Sequence, residues 1–426
     1  MSRSNLYCSL IHTGRKQPIS FQTQDAIMTA TDSHNSLKKQ QDFPVGIIEG
    51  FFGTPWDMRS RMTFIERLPR MGLNFYIYAP KNDPCLRSRW SEEFTAEYTS
   101  ALKQLALKIK SAGMKFGIGF SPLGATADSR KYLPVFRRQI KHLAEELHPD
   151  YLALLFDDMK ISLEHEGVLQ NIFIRECLDV LTPYGIRLIT CSSFYTTDPI
   201  LEKVFGKMPE CYHSDLLKGL PDSVDFFWTG SKVISTEYTE KDLLLAAEIL
   251  GRRPFIWDNY PVNDGRKASD YLYLKPFSGR NLIPSLASGI AVNPMKQTFL
   301  NLFPLASLRK ALETDNAELI SEAAAENLKF CHGGSFTDFM GTCTELFAST
   351  PVSEITDREK NDLLRILDEM LLEKKSALSG AVPADGSITD TDVGETEKIR
   401  NELAEINEIK DFLNGKYVFD PACLTG

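Results

Sequence analysis

The chain has 426 residues and a formal net charge of -9, with 43% hydrophobic, 10% aromatic and 25% charged residues. That length suits one large domain with a smaller one beside it, because single cores stop growing at roughly 250–300 residues. The acidic balance argues against nucleic acid or an anionic membrane surface as the main partner, and no apolar run nears the roughly 18 residues of a membrane span.

Residues 1–43 are rich in Ser, Thr, Gln and Lys and lack any periodicity, so a flexible N-terminal tail is expected, without the uninterrupted apolar core of a secretion signal. The cytoplasm is therefore the expected compartment. The eight cysteines are scattered, with no CxxC pair or Cys/His cluster at metal-ligand spacing, which fits reduced thiols and predicts no metal or other cofactor.

From Pro44 onward, short β-rich runs alternate with amphipathic helical stretches. The strand candidates are VGIIEG (45–50), NFYIYAP (74–80), KFGIGFSP (115–122), YLALLFDD (151–158), RLITCSSFY (187–195), DFFWTG (225–230), RPFIWDNY (253–260) and GIAVNP (289–294). Segments such as TAEYTSALKQLALKIKSAG place apolar residues three and four apart, as helices covering a parallel sheet require. Eight βα units in about 250 residues predict an α/β fold of the TIM-type (β/α)8 barrel class over 44–300. After residue 300 the strand signal gives way to helical periodicity, so 301–426 reads as a helical C-terminal domain with a loop near 379–396.

In such a barrel the chemistry sits at the C-terminal ends of the strands. Those ends carry Glu49 and Gly50; Lys81, Asn82 and Asp83; Ser121; Asp157 and Asp158; Tyr195; Trp228 and Thr229; Trp257, Asp258 and Asn259; and Asn293. Acids, amides and aromatics together suit a sugar, whose hydroxyls take polar groups and whose apolar face takes an aromatic ring. The adjacent pair Asp157–Asp158 could supply one raised and one low pKa, hence an acid and an anion in one site. A DD pair after a strand is equally well an N-cap or a solvated loop, and here the two readings stand level. A third reading takes the pair as ligands of a divalent ion, a site that would want further carboxylates at nearby strand ends, where Glu49 is the obvious candidate.

The blocks GIIEGFFGTPW (46–56), NFYIYAPKND (74–83), LALLFDDM (152–159), FFWTGSKV (226–233), FIWDNYPVND (255–264) and LASGIAVNP (286–294) resemble, in order and spacing, glycoside hydrolase family 84, the protein O-GlcNAcases and related β-N-acetylglucosaminidases. The resemblance implies a retaining β-N-acetylglucosaminidase whose nucleophile is the substrate's own 2-acetamido oxygen, acting through an oxazoline intermediate on a GlcNAc-bearing glycoprotein or glycoside. By position it implies that Asp157 holds the acetamido N–H and that Asp158 is the acid and base. It implies that Gly50 and Lys81 contact sugar hydroxyls, that Asp264 and Asn293 hold hydroxyls on the far side of the ring, and that Asn259 orients the acetamido group. Cys191, Tyr195, Thr229, Val233 and Trp257 resemble the wall of the N-acetyl pocket.

Two departures bear on substrate range: Phe194 stands where the family has an acid before the tyrosine, and the loop after Asp264 is unusual. In several family members a helical region after the barrel builds a peptide-binding groove or a dimer interface, so a homodimer through 301–426 is one expectation. The alternative on the same barrel is a non-catalytic sugar-binding or scaffold protein.

Overall fold

The computed structural model describes residues 43–160, 164–380 and 390–425, and the residues from Phe43 onward form one compact unit. The tail expected over 1–43 lies outside the described residues save for its last position. Eight parallel strands close into a barrel in chain order: β1 (Val45–Glu49), β2 (Phe75–Tyr78), β3 (Lys115–Phe120), β4 (Tyr151–Leu155), β5 (Arg187–Cys191), β6 (Asp225–Trp228), β7 (Phe255–Asp258) and β8 (Gly289–Val292). Closure comes from β1 against β8, with Val45 opposite Ile290. Each strand is shorter than its apolar run. The residues left over at the C-terminal ends form the mouth of the barrel.

The helices between the strands are α1 (Met58–Ile65), α2 (Ala96–Ser111), α3 (Ser129–Leu147), α4 (Glu166–Leu181), α5 (Ile200–Phe205), α6 (Tyr212–Leu217), α7 (Glu240–Leu250) and α8 (Ile283–Leu286). Side-chain caps start several of them: Asp57, Thr95 and Thr239 accept hydrogen bonds from the amides of Ser60, Tyr98 and Asp242. In α2, Leu102, Leu105, Ala106 and Ile109 are buried, the three-and-four spacing that turns one face of a helix to a sheet. A buried ion pair fixes the first βα unit: both Glu49 carboxylate oxygens accept from Arg61 at 2.7 Å, and Tyr76 Oη donates to Glu49 at 2.5 Å.

After β8 come α9 (Leu302–Ala311), α10 (Ala317–Leu328), α11 (Gly334–Ser349), α12 (Asp357–Gly380) and α13 (Asp390–Leu413). Helix therefore occupies both ends of the stretch expected to be a loop, and the residues between, 381–389, lie outside the described residues. The last helix is tied to the barrel by Glu408, whose half-buried carboxylate accepts from the amides of Phe299 (3.0 Å) and Leu300 (2.9 Å). Beyond α13 an irregular segment, Tyr417–Thr425, returns to the barrel mouth. Among the described residues no helix is long and apolar enough to cross a membrane.

Candidate active site

At the C-terminal end of β4 the chain leaves the sheet within three residues. Phe156 still donates its amide to the Cys191 carbonyl (2.8 Å), after which Asp157 and Asp158 form a turn in which Asp158 has φ of 55°. A left-handed residue breaks the alternation that would send neighbouring side chains to opposite faces. Both carboxyl groups consequently line one cavity at the barrel mouth.

All twelve residues to which the family resemblance gives a role line this cavity. Lys81, after β2, forms an ion pair with Asp157 through Oδ2, and both side chains are buried. The other oxygen, Asp157 Oδ1, is buried with no hydrogen-bond partner. Asp158 opens onto the cavity yet is enclosed by protein, and Tyr195 Oη donates to its Oδ1 at 3.0 Å. Burial pushes the Asp158 carboxyl up to about 6; the Asp157 charge adds to this, while Lys81, Arg87 and the Tyr195 hydrogen bond oppose it. Arg87 also donates to the Asp158 carbonyl at 3.2 Å.

A chain of amides organises the opposite wall. Asn259 Oδ1 accepts from Trp257 Nε1 (2.9 Å) and from Asn293 Nδ2 (3.0 Å), and Asn259 Nδ2 donates to the Val233 carbonyl (2.9 Å). Asn293 Oδ1 in turn accepts from the Gly50 amide at 3.2 Å. Asp264, in the loop after β7, accepts from the Phe52 amide at 2.7 Å, and burial raises its pKa. Cys191 is buried in the same cavity, its thiol pushed well above its usual range chiefly by burial, so it is an inert wall. Thr229 is fixed by its hydroxyl donating to the Lys232 carbonyl at 2.8 Å.

Gly50 is where the wall leaves no room. A Cβ there would lie 2.5 Å and 2.8 Å from two ring carbons of Trp257. Gly50→Ala is expected to displace the indole, at a cost of roughly 1–3 kcal/mol in stability. A melting curve and the KM for a glycoside substrate check this, and an unchanged KM would mean that the indole does not bear on the sugar.

Three acids at the strand ends do not line the cavity. Glu49 is held by Arg61, Asp83 accepts from Tyr78 (2.9 Å) and Tyr98 (2.7 Å), and Asp258 is held by Arg280 at 2.9 Å and 3.0 Å. The Arg61 ion pair also withdraws Glu49 from the set that a divalent-ion site would need. Conversely, Phe52, Ile234, Val262, Cys423 and Thr425 line the cavity without having been singled out. The first three neighbour residues that were; the last two follow α13 and carry no local signal.

Residues 45–342 match the model of the NAGidase family, described as beta-N-acetylglucosaminidase. The protein O-GlcNAcases of Rattus norvegicus and Mus musculus are each 30% identical over 271 residues, 59% of this chain. The chain spans only 28% of the length of those relatives. A solved mutant of a Thermobaculum terrenum O-GlcNAc hydrolase superimposes with a TM-score of 0.58 at 26% identity, covering 87% of this chain and 83% of that one.

Proposed function

Because the chain belongs to the beta-N-acetylglucosaminidase family of glycoside hydrolases, we propose that it removes terminal β-linked GlcNAc from glycoproteins or small glycosides, with retention and by substrate-assisted catalysis. The observation that carries the reading is the asymmetric environment of Asp157. One of its oxygens is engaged by Lys81, while Oδ1 is buried without a donor. A buried acceptor left unmatched is costly, so a ligand N–H delivered there gains that cost back on binding. The N–H of a 2-acetamido group is such a donor.

In the proposed reaction the acetamido carbonyl oxygen attacks C1 as the C1–O bond breaks, and the leaving oxygen takes the proton of Asp158. The positive charge of the resulting oxazoline ring is stabilised by the Asp157 carboxylate. Asp158, now ionised, takes a proton from water as that water attacks C1, the acetamido group is regenerated, and two inversions give retention. Tyr195 holds Asp158 in position. Trp257 forms part of the wall around the N-acetyl group, and the sugar's hydroxyls meet Lys81, Asp264 and Asn293.

The test is hydrolysis of an aryl β-N-acetylglucosaminide beside the matching aryl β-glucoside, which lacks only the acetamido group. Turnover of the first alone, with the β-anomer as the first product seen by NMR, is expected. Equal turnover of both would remove the acetamido group from the mechanism, and turnover of neither by folded protein would favour a sugar-binding role.

A further inference from the structure

We infer that the segment Tyr417–Thr425 is a wall of the sugar site, and that it restricts the site to a ring unsubstituted at the edge opposite the anomeric carbon. The inference rests on the site reading given above and names a determinant of specificity outside the barrel. Cys423 and Thr425 line the same cavity as Asp157, Asp158 and Asp264.

The segment is latched at several points. Lys296 Nζ donates to the carbonyls of Tyr417 (3.2 Å) and Val418 (3.3 Å), and Asn82 Nδ2 donates to Asp420 Oδ2 at 2.7 Å. The Arg266 guanidinium lies 4.7 Å from the centroid of the Phe419 ring. Asp420 then makes a turn, accepting the amides of Ala422 through its side chain and Cys423 through its carbonyl, each at 2.9 Å. That turn delivers Cys423 beside Asp264, whose carboxylate accepts from its thiol.

The order of strands decides which end of the sugar this wall meets. Asn82 follows β2, Arg266 follows β7 and Lys296 follows β8, so the latches span the arc β7–β8–β1–β2 of a closed eight-strand ring. Asp157 and Asp158 follow β4, and Tyr195 follows β5, on the opposite arc. A pyranose with C1 at Asp158 presents its C4 edge, para to C1 across the ring, to Asp264 and the segment behind it. A group carried on O4 would have to occupy the space of Cys423.

The experiment compares an aryl β-N-acetylglucosaminide with its 4-O-methyl ether, in the full chain and in two variants. One variant is Cys423→Gly with Thr425→Gly, which opens the wall; the other is Asp420→Ala, which releases the latch. Binding of methyl β-N-acetylglucosaminide and of its 4-O-methyl ether, measured by calorimetric titration, gives a second readout independent of turnover. The unaltered protein is expected to prefer the parent glycoside by about tenfold or more, the scale on which a pocket discriminates one methylene. Both variants are expected to shrink that ratio by about tenfold, through KM and Kd rather than kcat.

An unchanged ratio in both variants, with the parent glycoside still bound and turned over, would overturn the wall alone. Faster turnover of the parent at an unchanged ratio would also overturn it, by making the segment an obstruction. No binding or turnover of the parent by the unaltered protein would overturn the site reading, and the wall with it.

Discussion

Asp158→Asn is expected to lower kcat/KM for an alkyl β-N-acetylglucosaminide by about 10²–10⁴-fold, the usual contribution of a positioned general acid, while an aryl glycoside with a good leaving group loses far less. The difference arises because only a basic leaving oxygen needs the proton. With Asp158 pushed up to about 6, its protonated fraction falls as the pH rises. The alkyl substrate should therefore show a limb of declining kcat/KM above about pH 6, and that limb should vanish in the variant. A limb that survives the substitution would assign it to another group.

The choice of Asn keeps the test clean. Residue 158 has φ of 55°, a region that Asn tolerates and Ala does not. The linkage has a definite sign: a carboxyl whose pKa is raised by folding contributes stability below its ordinary value near 3.8, and loses it as the pH rises through about 6. The Asn variant should accordingly melt no lower than the parent above pH 6.

Asp157→Asn is expected to slow alkyl and aryl glycosides alike, by about 10²–10³-fold, because the anion that stabilises the oxazoline serves every leaving group. It also removes the counterion of a buried lysine, and breaking one side of a buried pair costs about 3–5 kcal/mol. A fall in melting temperature should accompany the loss of rate here, unlike in Asp158→Asn. Restoring Lys81 to neutrality with Lys81→Met in the same chain should recover the melting temperature and not the rate. Small, equal rate effects of the two Asp substitutions would defeat the division of roles.

The legible part of the site was the part built from strand ends. FDD, WTG, WDN and VNP each close a short apolar run, so the alternation of strand and helix locates them on the same rim before any contact is known. What pattern could not separate was which acid at a rim faces inward. Glu49, Asp83 and Asp258 look as eligible as Asp157 in sequence, but Arg61, Tyr98 and Arg280, at 12, 15 and 22 residues' separation, draw them away.

By itself, then, the sequence determined the eight strands, their parallel order and the position of the Asp157–Asp158 pair, because these depend on local periodicity and on the short reach from a strand to the helix after it. Only the tertiary structure decided that Asp158 turns left-handed so that both carboxyl groups share a cavity, that Asp157 keeps one oxygen unmatched, and that Cys423 stands beside Asp264. The bond between Asn82 and Asp420 joins residues 338 positions apart, and nothing local to either records it. Such contacts follow from how closure of the barrel and docking of the last helix bring the two loops together.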